Sequence, residues 1–182
     1  QLSKAILPHF KTGQQNVLNL ISTDSANGKS YLAQELENYW ISIGLQVRRL
    51  TYDEDFLADD SKFIMSSSIK DLCPDILPDE IAIVEYPNLN DHSIPSSLLN
   101  MGTVNLMVTR ANRTWKDIDQ KALKEVQSQL EDQNSLFMYL TESSRYAVEE
   151  FVGQLPPYTR FSNFVYRISQ LGLTATENSH AS

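Results

Sequence analysis

The strongest constraint on this chain is a polar loop set between a short apolar run and an amphipathic segment. Val17-Leu18-Asn19-Leu20-Ile21 is rich in branched residues, the composition of a buried strand. The loop Thr23-Asp24-Ser25-Ala26-Asn27-Gly28-Lys29-Ser30 follows. Tyr31–Ile43 then carries Leu32, Leu36, Tyr39, Trp40 and Ile43 at helical spacing, and Gly44 reads as its C-cap. A strand feeding a helix through such a loop brings backbone N–H groups and the positive end of the helix to one point. That arrangement attracts phosphate.

The loop matches three of the four defined positions of the pattern G-x-x-x-x-G-K-[ST], through Gly28, Lys29 and Ser30. Thr23 replaces the first glycine. Gly28 lets the backbone approach phosphate oxygens closely. Lys29 is placed to reach the terminal phosphates, and Ser30 to offer its hydroxyl to Mg²⁺. The expected nucleotide contacts are Asn27, Gly28, Lys29, Ser30 and Tyr31, with ATP or ADP and Mg²⁺ as cofactors.

The rest of the chain alternates in the same way. Gln46–Tyr52 reads as a second strand, Ile81–Val84 as a third ended by Tyr86-Pro87, Val104–Val108 as a fourth and Leu136–Leu140 as a fifth. Asp53–Glu80 suits short helices and loops. Ser93–Asn100 suits a short helix with Pro95 in its first turn. Thr114 is placed to cap a long helix reaching about Glu131, with Asp117 three residues on. Val148–Val152 reads as a helical turn, Arg160–Leu171 as a terminal helix, and Thr174–Ser182 as a disordered tail. The expected architecture is one P-loop NTPase-like α/β domain over residues 1–173, with a mainly parallel sheet and helices on both faces.

A formal charge of −8 argues against nucleic acid as a partner. Cys73 is the lone cysteine, so no disulfide forms within the chain and a reducing compartment is expected. His9, His92 and His180 are far apart and are given no catalytic part. No apolar run approaches the ~20 residues of a membrane span, and there is no signal peptide. The chain begins Gln-Leu-Ser without a methionine, which suits a piece of a longer protein whose membrane segments lie elsewhere.

Three stretches resemble the bacterial tyrosine kinase domains (BY-kinases) of capsule and exopolysaccharide co-polymerases, relatives of the MinD/ParA-type ATPases. The first is Val17–Ser30, although the family's frequent loop proline is absent. The second is Gly44–Asp53, similar to an apolar strand ending in D-x-D-x-R. Thr51 stands for the first Asp, Asp53 matches the second, and Asp55 replaces the Arg. The third is Ile81–Pro87, similar to the strand ending in D-x-P-P, with Glu85 at the Asp position and Asn88 at the second proline. Thr103–Thr114 and Leu123–Leu130 resemble the following turn and helix, so the likeness spans Val17 to Leu140.

The resemblance implies catalytic roles for Lys29, Asp53 and Glu85, and Mg²⁺ held by Ser30 and Glu85. It also implies a homo-oligomer on the cytoplasmic side of the bacterial inner membrane, attached through segments outside this chain and partnered with polysaccharide assembly or export machinery. The departures point to weakened or lost catalysis, in a domain that binds nucleotide weakly or not at all and whose job is mainly structural or regulatory. The Asp replaced by Thr51 is the one such chemistry would use to activate a tyrosine hydroxyl. The last thirty residues hold only Tyr158 and Tyr166, not a tyrosine run. The segment between the second and third stretches is also short. An active tyrosine autokinase and a free MinD/ParA-type ATPase are the alternatives, the second disfavoured because the loop lacks an extra lysine near its start.

The remaining conspicuous residues have plainer expectations. Arg110 and Arg113 read as a solvated turn, with nucleotide or subunit contact as the alternative. Asp53, Glu54, Asp55, Asp59 and Asp60 read as a solvated acidic loop rather than a second Mg²⁺ site. Leu155–Tyr158 reads as a rigid lead-in to the last helix rather than a polyproline ligand. Trp40 and Trp115 read as packing residues within helices.

Overall fold

A computed structural model of the chain describes residues 2–57, 60–132 and 135–142. The expected turn at Val148–Val152, the lead-in at Leu155–Tyr158, the helix at Arg160–Leu171 and the tail from Thr174 lie outside the described residues, as do Asp59, Tyr158 and Tyr166.

Five strands form one sheet: β1 (Asn16–Ser22), β2 (Val47–Thr51), β3 (Ile81–Asn88), β4 (Val104–Arg110) and β5 (Leu136–Thr141). Their spatial order is β2-β3-β1-β4-β5, and every pairing is parallel. Among the described residues six α-helices flank it: α1 (Leu2–Ile6), α2 (Lys29–Ser42), α3 (Ser61–Ile64), α4 (Ile69–Leu72), α5 (Ser96–Met101) and α6 (Asp117–Gln129).

Alternation along the strands splits the core into two layers. Leu18 and Leu20 of β1, Ile81 and Ile83 of β3, and Val104, Leu106 and Val108 of β4 pack with Ile6 of α1 and with Leu32, Ala33, Leu36 and Trp40 of α2. Val17 and Ile21, Ala82, Val84 and Tyr86, and Met107 point the other way, toward Phe63, Ile69, Leu98, Leu99 and Val126 of α3 to α6. Both faces of the sheet are therefore covered by helices.

The connections set the place for a ligand. From β1 the chain turns toward β2, whereas β4 is followed by β5 on the opposite side. The sheet reverses its winding between β1 and β4, and open parallel sheets bind ligands outside the carboxyl ends of strands at such a point. The loop after β1 and the turn after β4 meet there.

Several local expectations change. α2 starts at Lys29, and Tyr39 and Ile43 are 46% and 49% exposed, so the buried stripe is Leu32, Ala33, Leu36 and Trp40. Gly44, at φ 88°, does close the helix: its N–H donates to Ile41 O and that of Leu45 to Trp40 O, a Schellman pattern. β3 does not stop at Tyr86-Pro87 but runs to Asn88. Its register with β1 steps from Leu20–Glu85 to Ser22–Asn88, so the proline sits in a bulge where a missing donor is tolerated.

α5 begins at Ser96, with Pro95 at its N-cap rather than in its first turn. α6 is capped at Lys116, not Thr114. The Asp119 carboxylate accepts from Lys116 N at 2.9 Å, and half-buried Trp115 lies before the helix rather than in it. α1 was not anticipated: its Ser3 Oγ accepts the Trp40 indole N–H at 2.6 Å, while Phe10 meets the Trp40 ring edge-on. Among the described residues, no helix is long and apolar enough to cross a membrane.

Candidate functional site

β1 ends at Ser22, and the next six residues lead into α2. Thr23 and Asn27 are buried, whereas Ser25, Ala26 and Gly28 are exposed. Gly28 is the N-cap of α2 at φ 79°, ψ 21°, a left-handed conformation that favours glycine. No side chain caps this helix, so its first turn is open to an outside acceptor. The Asn27 carbonyl accepts from Thr141 Oγ1 at 3.1 Å, which ties the loop to the end of β5. The Asn27 side chain is 1% exposed, and neither of its amide atoms has a partner. Unpaired buried polar atoms are costly, ~1–3 kcal/mol each, and call for a reason.

Lys29, the first helical residue, is only 6% exposed. Its ammonium donates to Ser22 Oγ at 2.7 Å, and that hydroxyl donates to Asp24 O at 2.7 Å. Burial pushes the Lys29 pKa down to about 8, against the opposing attraction of Glu85. A desolvated cation at the mouth of a bare helix N-terminus is suited to an anion.

Thr23 occupies the position of the missing first glycine, and the turn after β4 secures it. Arg113 Nη1 donates to Thr23 Oγ1 at 3.2 Å, and Nη2 forks onto Asp119 at 2.8 and 3.0 Å. Burial would raise the Asp119 pKa. Hydrogen bonds from Thr23 and Lys116 N, with the Arg113 guanidinium, outweigh it and hold the carboxyl below the usual range. Arg113 is therefore not part of a solvated turn. Arg110 is separate, paired with Glu142 at 2.6 Å, while Asn112 donates to the same carboxylate.

The expected carboxylates fare differently. Glu85 lies in register with Thr51 on one side and Leu20 on the other, with its side chain only 3% exposed. Its Oε1 is 3.3 Å from Arg49 Nη1, and Arg49 Nε is 3.2 Å from Glu37 of α2. Asp53 is exposed in the turn after β2 and is not drawn into this cluster. Asp55 closes the same turn by accepting from Thr51 N at 2.7 Å and Thr51 Oγ1 at 3.3 Å. Asp60 caps α3 by accepting from Lys62 N at 3.0 Å. Ser30 and Tyr31 are both exposed on the first turn of α2, Tyr31 by 72%.

Mg²⁺ beside a nucleotide takes one or two protein oxygens and completes its octahedron with phosphate and water. The buried carboxylate Glu85 is engaged by the Arg49 guanidinium, and its charge favours the protonated form of Lys29. Among the described residues, no three Asp, Glu, His or Cys side chains converge as a metal site. The structure thus brings together Asn27, Gly28, Lys29 and Glu85 and leaves Asp53 outside.

Sequence reasoning missed Ser22, Arg49, Asp119 and Thr141. Two adjacent arginines in an otherwise apolar strand were the available signal for Arg49, since a cation there needs a buried partner. Comparison with protein-family models and with curated protein sequences yields no match.

Proposed function

We propose that this is a P-loop-type nucleotide-binding domain with weakened catalysis, acting as a structural or regulatory BY-kinase-like unit. On the resemblance of its sequence, it would serve in polysaccharide assembly or export. It would work as an oligomer at the cytoplasmic face of a bacterial inner membrane. The observation that carries the reading is the desolvated Lys29 at an uncapped helix start, while the buried Glu85 carboxylate is already bound by Arg49. The phosphate-binding half keeps Gly28, Lys29 and Ser30. The half that would activate an attacking hydroxyl lacks its base, with Thr51 in place of an Asp.

Calorimetric titration with ATP and ADP tests the binding half. Micromolar binding that Lys29→Ala abolishes is expected. Incubation with labelled ATP tests the other half, and label on tyrosine at kinase-like rates would refute the weakened-catalysis reading.

A further inference from the structure

The buried carboxylate beside the loop already has a cation of its own. Glu85 and Glu37 share the Arg49 guanidinium at 3.3 and 3.2 Å. A metal ion held by Glu85 would have to displace Arg49 from it, which is opposed electrostatically at that distance.

An anion meets no such obstacle. α2 is 14 residues long and starts without a side-chain cap, so its first N–H groups and its dipole face outward at Gly28. The Asn27 side chain, beside Gly28, is buried with both amide atoms unpartnered, an unmet hydrogen-bonding capacity within the loop itself. Lys29 needs only to leave Ser22 Oγ.

We propose that the loop binds the phosphate end of a nucleotide as the metal-free anion, because Arg49 withholds Glu85 from Mg²⁺. This rests on the phosphate-binding reading given above. Free ATP carries more negative charge than its magnesium complex and is the form that a lysine and helix N–H groups favour.

The test is calorimetric titration of the whole chain with ATP, ADP and pyrophosphate, once in EDTA and once with excess Mg²⁺. ATP is expected to bind in EDTA and severalfold more weakly with Mg²⁺. In Arg49→Met the preference is expected to reverse, with Mg²⁺ tightening ATP by about tenfold as Glu85 is released. Arg49→Gln provides the same comparison if the methionine variant does not fold. Wild-type binding that tightens tenfold or more with Mg²⁺ would overturn the metal-free assignment while leaving the phosphate loop in place. Binding of none of the three ligands in either buffer would overturn both. A folded Arg49 variant with the wild-type metal response would overturn the role given to Arg49.

Discussion

Lys29→Met should make the unliganded protein more stable while removing its ligand. The lysine is 6% exposed, and burial brings its pKa from 10.5 to about 8. At ~1.4 kcal/mol per tenfold change in proton affinity, keeping it charged inside costs roughly 3 kcal/mol at pH 7. Methionine has a similar shape and carries no charge. It forfeits the bond to Ser22 Oγ, worth ~1 kcal/mol. The net gain is ~1–2 kcal/mol, or a rise in Tm on the order of 2–8 °C for a chain of this size. The sign with pH follows from proton counting. A base with a lowered folded pKa binds fewer protons folded than unfolded between pH 8 and 10.5, so the wild type gains stability as pH rises through that window. The advantage of the variant is therefore full at pH 7 and gone above about pH 10.5. Differential scanning fluorimetry at pH 7, 8.5 and 10 measures it. A variant that melts at or below the wild type at pH 7, or whose advantage is constant with pH, would refute the claim that Lys29 is held at a desolvation cost.

Other consequences can be measured separately. Nucleotide affinity should decline as pH rises past about 8, where the unliganded Lys29 loses its proton, and titrations from pH 6.5 to 9.5 would show it. Gly28→Ala forces a side chain into φ 79° but meets nothing closer than Thr141 Cγ2 at 3.6 Å, so it should destabilise by only ~1 kcal/mol in urea while weakening ligand binding. Gly102→Ala should be worse, ~2–3 kcal/mol, because its Cβ would lie 2.5 Å from Asn19 Nδ2 and 2.7 Å from Asn105 Oδ1 in a buried polar pair. Arg113→Ala should cost ~3 kcal/mol by leaving buried Asp119 without its guanidinium, and the loss should diminish at acid pH as that carboxyl protonates, as seen in urea unfolding at pH 7 and pH 3.

The sheet was legible because its strands are short apolar runs whose identity does not depend on their partners. Val17–Ile21, Ile81–Val84 and Val104–Val108 are buried in any parallel arrangement. Strand ends were less legible. Pro87 reads as a stop, yet the bulge opposite Leu20 and Ser22 admits it into β3. The Asn19–Asn105 pair across β1 and β4, which makes Gly102 obligatory, is invisible locally because its members are 86 residues apart. The site divided in the same way. Gly28, Lys29 and Ser30 announce themselves as a contiguous motif. Arg49 and Glu85 become partners only through the pairing of β2 with β3, so the sequence presented a carboxylate but not the cation that engages it.

The departures from the loop pattern therefore differ in consequence. Replacing the first glycine by Thr23 sacrifices backbone freedom, yet the Thr23 hydroxyl is fixed by Arg113 and bonded to Asp119, which is itself anchored to the start of α6. Side-chain bonds hold the loop entrance where glycine would have left it pliable. A loop ordered before its ligand arrives loses less entropy on binding, so this change is compatible with phosphate affinity. Thr51 and the Arg49–Glu85 pair act on a different term. On the proposed reading, Thr51 stands where a base would be and Arg49 engages the buried Glu85 carboxylate, so both would act against a metal-assisted transfer step rather than against the anion. A chain altered in this way should hold a nucleotide better than it uses one. A single-turnover assay can separate the two: bound ATP should be recovered unhydrolysed over times in which a competent site would empty, and rapid conversion to ADP would contradict the argument.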